Sequence, residues 1–308
     1  GIVEDKERLQ DLLPTIRFLI SQKSSTLIAG HIGRPENNNN FDLSTKHLVT
    51  ILSSSLNMKV IHFSDFFEVR LSPNTLGLFE NLRFWDGEEK NDEDFSKKLA
   101  SLADVYVNES FDASHRLHAS IVGVPRFLPH AAGLHFEKEV EVLSRILKNP
   151  KHPLVVLIGG AKIETKLPVI KSLAKIADFV LVGGRLPLEK DREKLNAPNI
   201  FTASLESSKK DVDSVSINRF IETIEKAKMI VWNGPMGVFE EAESEKGTRE
   251  IAKIIAESSA EKIVGGGETI WALKKFGLIE KMDWVSSGGG AMLEFLSGKS
   301  LPGIIALE

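Results

Sequence analysis

The sequence contains no cysteine. That excludes disulfides, thiolate nucleophiles and thiolate-bound zinc, and it suits the cytosol. It also lacks any apolar run near the ~20 residues that a membrane-spanning helix needs. Its first residues, "GIVEDKERLQ", are charged rather than signal-like. The expectation is a cytoplasmic protein with no membrane partner. A large excess of either charge is missing too: 39 Lys and Arg against 43 Asp and Glu leave a net charge of -4. No blanket attraction for nucleic acid follows, so no polynucleotide partner is expected, and any anion site must be a local cluster. Neither the Walker pattern nor G-x-G-x-x-G occurs, which excludes a P-loop and a dinucleotide fingerprint.

What is present is an alternation. The chain of 308 residues has room for about two domains at ~150 residues each. Apolar, β-branched runs recur at "STLIAG", "MKVIHF", "GLFEN", "ADVYVN", "HPLVVLIGG", "DFVLVGG", "KMIVWNG", "EKIVGGG" and "DWVSSGGG", separated by helix-like stretches such as "EDFSKKLASLA", "TKLPVIKSLAKIA", "NRFIETIEKA" and "SEKGTREIAKIIAES". This pattern predicts an α/β protein of parallel βα units. Residues 131–150 read as a long amphipathic helix ending at Asn149-Pro150, a connector between two sheets. The predicted architecture is therefore two doubly wound, three-layer α/β/α lobes, 1–130 and 151–290, joined by that helix, with a tail of 291–308.

The strand ends carry two different chemistries. In open α/β sheets ligands bind beyond the carboxyl ends of the strands. In the first half those positions deliver Arg34, Arg83, and His115, Arg116 and His118. An arginine at one strand end reads as readily as a surface ion pair of little energetic consequence. Three from separate strands point to a polyanion site, because the planar guanidinium makes bidentate bonds to phosphate or carboxylate and stays charged. In the second half the strand ends deliver glycine: Gly159-Gly160, Gly183-Gly184, Gly234, Gly265-Gly266-Gly267 and Gly288-Gly289-Gly290. Glycine permits close approach of backbone to a ligand, and N–H groups at the following helix starts bind phosphate oxygens. The competing reading is tight structural turns. Lys162 and Lys166, four apart after "LIGGA", fall on one helix face beside these glycines. An arginine-rich site for a phosphorylated acid and a glycine-rich site for a nucleotide suit a phosphoryl transferase, whose chemistry is mainly positioning and charge neutralisation.

The motifs "GHIGRP", "FENLRF", "DVYVNESFDASHRLHAS", "GGAKIETK", "VWNGPMGVFE", "VGGGET", "SSGGGAMLEFLSGK" and "LPG", in this order over almost the whole chain, resemble the phosphoglycerate kinase family. The resemblance implies a cytosolic monomer that transfers phosphate between 1,3-bisphosphoglycerate and ADP, with Mg²⁺, on hinge closure. It assigns His31, Arg34, Arg83, His115 and Arg116 to phosphoglycerate. Arg8 is assigned to the transferring phosphoryl group, with Lys162 and the N–H groups of Gly288, Gly289 and Gly290. Gly160, Lys166, Gly183, Gly184, Asn233, Pro235, Glu240, Gly265, Gly266, Gly267, Glu268 and Thr269 are assigned to the nucleotide, Glu268 also to the metal. The tail "LPGIIALE" is expected to return to the first lobe. Three departures accompany the likeness. The span from Gly184 to Lys226 is short, with Arg185 where a third glycine is expected. Glu268 stands where aspartate is commoner. The family opens with a strand and an Arg-x-Asp-x-Asn element that would lie ahead of Gly1, so the first sheet is expected to miss a strand beside "TLIAG". A non-catalytic or incomplete relative that binds nucleotide or anion is the alternative.

Overall fold

A computed structural model describes residues 7–35, 41–189 and 195–308, without the side chains of residues 7 and 8. In chain order the first elements are α1 (Glu7–Ser21), β1 (Thr26–Ile28), α2 (Val49–Leu56), β2 (Val60–Phe63), β3 (Leu76–Phe79), α3 (Asp86–Lys90), α4 (Glu93–Ala100), β4 (Tyr106–Asn108), β5 (His130–Ala132) and α5 (Leu134–Lys148). They continue as β6 (Leu154–Ile158), α6 (Ile163–Leu173), β7 (Phe179–Val182), β8 (Ile200–Thr202), α7 (Ser214–Ile224), β9 (Met229–Asn233) and α8 (Lys246–Glu257). The last are β10 (Glu261–Gly265), α9 (Gly267–Lys275), β11 (Trp284–Ser286), α10 (Gly289–Leu296) and α11 (Pro302–Ile305). No helix among the described residues is long and apolar enough to cross a membrane.

The chain forms two compact units, residues 1–138 with 301–308, and residues 139–300. The predicted connector is the helix α5, and the units part within it rather than at its ends. The tail expected over 291–308 divides. Residues 291–300 stay in the second unit because α10 buries Ala291, Met292 and Leu296 and packs on α6. Only 301–308 joins the first unit.

In the second unit a six-stranded parallel sheet has the order β11-β10-β9-β6-β7-β8. "LVVLI" and "MIVWN" form its centre, and every residue of both strands is buried. Continuous apolar runs are what a parallel strand covered on both faces requires. Val155, Leu157, Ile230 and Trp232 pack on one side with Ile217 and Phe220 of α7 and Ile251 and Ile255 of α8. From β6 the chain winds outward to β7 and β8, and from β9 to β10 and β11. The switch point lies between β6 and β9, where Ile158 pairs with Asn233 and where a doubly wound sheet opens its ligand crevice.

In the first unit the parallel order is β1-β3-β2, and β4 pairs in parallel with β5 alone. Alternate residues of β3 serve two cores. Leu76 and Leu78 meet Ile16 of α1 and Leu52 of α2. Phe79 joins Phe66, Phe95 and a stacked Trp85 whose ring centroid is 5.3 Å away. The single sheet expected for this lobe is thus two sheets among the described residues. Among these residues β1 pairs with β3 on one side only.

The last residues are anchored in the first unit. Leu301 is buried, and Gly303 donates its N–H to the Ser114 carbonyl at 2.8 Å so closely that a Cβ there would lie 2.5 Å from Ser114 Oγ. Ser114 directly precedes His115 and Arg116, so the tail buttresses the loop that carries them. Deleting residues 301–308 is expected to lower the unfolding midpoint of the first unit, read by calorimetry, and to leave that of the second unit unchanged. A truncated chain that unfolds like the full one would contradict this.

Candidate functional site

In the first unit the loops after β1 and β3 are stitched together before any ligand is considered. Leu82 donates its N–H to the Gly30 carbonyl at 2.9 Å, and Asn81 Nδ2 donates to the carbonyls of Ile32 and Leu43 at 2.8 and 2.9 Å. The buried Glu80 carboxylate accepts from Ser44 Oγ at 2.6 Å, Thr45 N at 2.8 Å and Asn81 N at 2.7 Å. On this frame Arg83 Nη1 donates to the Gly33 carbonyl at 2.5 Å, and Nε lies 2.9 Å from Glu89 Oε1. Its side chain is only 5 % exposed, and Nη2 has no hydrogen-bond partner among the described residues. A buried guanidinium with an open N–H is suited to an incoming anion, since leaving it unpaired is costly.

The other predicted residues of this half gather around it. The His31 and His118 rings stand 6.4 Å apart, edge to face. Burial first, then Arg83, Arg116 and His118, push the His31 imidazole down to about 4 against the pull of Asp112. Burial, Arg83 and Arg116 likewise lower His118. Arg34 is exposed, yet near enough to help Arg116 and burial depress the Arg83 guanidinium, with Glu89 opposing. His115 Nδ1 is buried without a hydrogen-bond partner among the described residues. The three arginines from separate strand ends therefore form one cationic cluster. His118 and Asp112 belong to it as well, although neither stands in the predicted ligand set. Arg8 opens α1 by its backbone; its side chain lies outside the described residues.

In the second unit the predicted glycines separate into two kinds. Gly159, Gly184 and Gly234 pack backbone on backbone at the switch point. Cβ atoms there would lie 2.1 Å from the Pro235 carbonyl, 2.5 Å from Gly160 N and 2.3 Å from the Gly159 carbonyl respectively. Gly183 and Gly265 meet the sulfurs of Met236 and Met292 in the same manner. Pro235 accepts from Gly160 N at 3.0 Å, and the buried Thr269 hydroxyl accepts from Gly234 N at 2.7 Å, so both hold the loop itself. Gly160 and Gly267 instead face open space: a Cβ on Gly160 would meet nothing nearer than Glu268 Oε2 at 3.8 Å, and one on Gly267 nothing within 4 Å. Gly266, at φ 95°, turns the chain into α9 beside Asn233 and lies against Gly289. Gly288 caps α10, and Gly289 and Gly290 form its first turn.

Around that opening stand the polar groups. Lys166, in the first turns of α6, donates to the buried Asn233 Oδ1. Burial lowers its ammonium to about 8, and Glu268 works in the opposite direction. Lys162 is exposed at the N-cap of α6. Glu268 is exposed in the first turn of α9. Glu240 is exposed beyond the buried Phe239, against which Trp271 packs edge-on at 4.9 Å. No group of three or more potential ligands gathers as a metal cage among the described residues. The single exposed carboxylate of Glu268 has the hard oxygen donors that suit Mg²⁺, which keeps waters and is commonly held by one or two carboxylates plus substrate phosphates.

The family model for phosphoglycerate kinase matches residues 1–190 and 187–299. The chain belongs to the phosphoglycerate kinase family. It is 37% identical over 366 aligned positions to the phosphoglycerate kinase of Finegoldia magna, covering all of this chain and 92% of that relative. It is 37% identical over 363 positions to that of Borreliella afzelii, with the same coverage. Among solved structures it resembles phosphoglycerate kinase from Coxiella burnetii, with a TM-score of 0.86 and 33% identity, and that from Pyrococcus horikoshii, with 0.86 and 30%. Each of these matches covers the whole chain and 92% of the solved one. The two pieces of the family match meet at 187–190, inside the span that is short in this sequence. Residues 190–194 lie outside the described residues, but β8 still pairs with β7, so the sheet keeps its edge strand.

The depressed His31 imidazole generates a pH prediction. Its folded value of about 4 lies below the ordinary 6.5. Between those values the unfolded chain binds a proton that the folded one does not, so stability falls as pH drops from 6.5 to 4 and is unaffected by this group above 6.5. The loss is at most about 2–3 kcal/mol. Thermal unfolding followed from about pH 7 to about pH 4 is expected to show a smaller decline for His31→Gln than for the wild type. Parallel curves would contradict the assignment.

Proposed function

We propose that this chain catalyses phosphoryl transfer between 1,3-bisphosphoglycerate and ADP, giving 3-phosphoglycerate and ATP. Membership of the family supports the reaction. The observation that carries the division of labour is the partition of chemistry between the units: a buried Arg83 with an unpartnered Nη2 among cations in one, and Lys166 with Asn233 beside the open Gly160 in the other.

On this reading Arg34, Arg83 and Arg116 hold the phosphorylated acid, and neutral His31 orients it by hydrogen bonding. His115 lies in the same group. Lys166 contacts the nucleotide phosphates, with Asn233 fixing its ammonium. The N–H groups of Gly266 and Gly267 face the phosphates and Gly160 leaves them room, whereas Gly183, Gly184, Gly265, Pro235 and Thr269 hold the loops in place. Glu240 reaches the ribose. Arg8, Lys162 and the N–H groups of Gly288, Gly289 and Gly290 receive charge that develops during transfer, as preorganised donors do. Mg²⁺, bound with the nucleotide and held on the protein side by Glu268, supplies neutralisation of phosphate charge. Closure about a hinge brings the two substrates in line. A monomer working in the cytoplasm completes the proposal.

The test is a coupled assay of ATP formation from ADP and 1,3-bisphosphoglycerate, together with titration of each substrate. Turnover is expected, and ADP binding without turnover would point to a non-catalytic relative. Arg34→Ala and Arg116→Ala are expected to weaken 3-phosphoglycerate binding about tenfold or more while leaving ADP affinity unchanged. Arg8→Ala is expected to lower turnover by about 10²-fold with much less effect on binding.

A further inference from the structure

Behind the cationic cluster of the first unit lies a carboxylate that the reaction does not call on. Glu88, in α3, is fully buried. Its Oε1 accepts from Ser120 Oγ at 2.5 Å and its Oε2 from Ser120 N at 3.0 Å. The carbonyl of the same Ser120 accepts from the Tyr106 hydroxyl of β4 at 2.7 Å. Every hydrogen-bonding group of Ser120 is thereby fixed by a partner distant in sequence. The segment that follows is fixed as well: a Cβ on Gly123 would lie 2.2 Å from Ser96 Oγ and 2.7 Å from Asn91 Oδ1. The segment that precedes is the one bearing His115, Arg116 and His118. Glu88 Oε1 also stands 3.7 Å from His118 Nδ1, which has no hydrogen-bond partner among the described residues.

Burying a carboxylate is costly unless its hydrogen bonds compensate, and burial does raise the Glu88 carboxyl above its ordinary range, against the Ser120 bonds and Arg83. A group kept at that cost for packing alone could be apolar. We propose that Glu88 is a positioning residue for the phosphorylated substrate: by gripping Ser120 it sets the loop of residues 115–120, and so aims Arg116 and His118 at the anion held by Arg83. The inference rests on the reading of this cluster as the phosphoglycerate site. It acts through the loop, because Glu88 is sealed from solvent.

Glu88→Ala is expected to raise KM for the phosphorylated acid about tenfold, the scale of a misplaced binding group, with KM for ADP unchanged. Glu88→Gln keeps an acceptor for the Ser120 N–H and is expected to return KM to within about threefold of the wild type. Ser120→Ala removes one of the two bonds from the other side without emptying the Glu88 site, and is expected to raise the same KM about threefold. A wild-type KM in Ser120→Ala overturns the proposal whether or not Glu88→Ala folds. So does a Glu88→Ala that raises both KM values equally, which is the mark of a general structural defect. Arg116→Ala, run alongside, separates the two levels. If it leaves phosphoglycerate binding unchanged the site reading itself fails. If it weakens binding while the Glu88 and Ser120 variants do not, only the positioning role falls.

Discussion

The second unit depends on the contact of bare backbone at its switch point. Gly159 and Gly234 follow adjacent parallel strands, and Gly184 follows the next; the three loops close on one another with less than 3 Å between a notional Cβ and the neighbouring main chain. A single methyl group at any of these positions would push β6, β7 and β9 apart at the end where the sheet opens. The closeness also lets Gly160 N bond Pro235, Gly184 N bond Met236 and Arg185 N bond Gly160, so the loops hold their shape without a ligand. Lys166 and Asn233 sit on top of this knot, and their geometry is inherited from it.

The first unit solves a different problem. Its strand ends carry like charges, and Arg34, Arg83 and Arg116 repel one another. The structure tolerates the repulsion by setting carboxylates close to the cluster: Glu89 beside Arg83, Asp112 beside His31, and Glu88 behind His118. The lowered proton affinity of half-buried His31 and buried His118 removes further positive charge. What is left is a cationic cluster held by loops tied through Glu80, Asn81 and Ser120.

Much of this was legible in the sequence, and for identifiable reasons. All nine predicted strand runs are strands; for β3, β6 and β9, buried throughout, the reason is that a parallel strand covered on both faces must be a continuous apolar run. β5 and β8 were missed. "HAA" is exposed and carries no apolar pattern, and "IFT" is a three-residue edge strand, too short to show a period. The arginines were legible because charge at a strand end stands out against its apolar run. Glu88 was not: inside "DGEEKNDED" it looks like one more solvated carboxylate, and its hydrogen-bond partner Ser120 lies 32 residues away.

By itself, then, the sequence determined the alternation of strands and helices, the two chemistries at the strand ends, and the family. Those are properties of local pattern and residue type. Tertiary structure alone decided which glycines serve packing and which leave room for a ligand, since that depends on what a Cβ would meet across the sheet. It decided that Lys166 is half-buried and bonded to Asn233 while Lys162 remains exposed, and that the units part inside α5 with residues 301–308 returning to the first. Each of these is set by contacts between segments far apart in the chain, where spacing along the sequence carries no information.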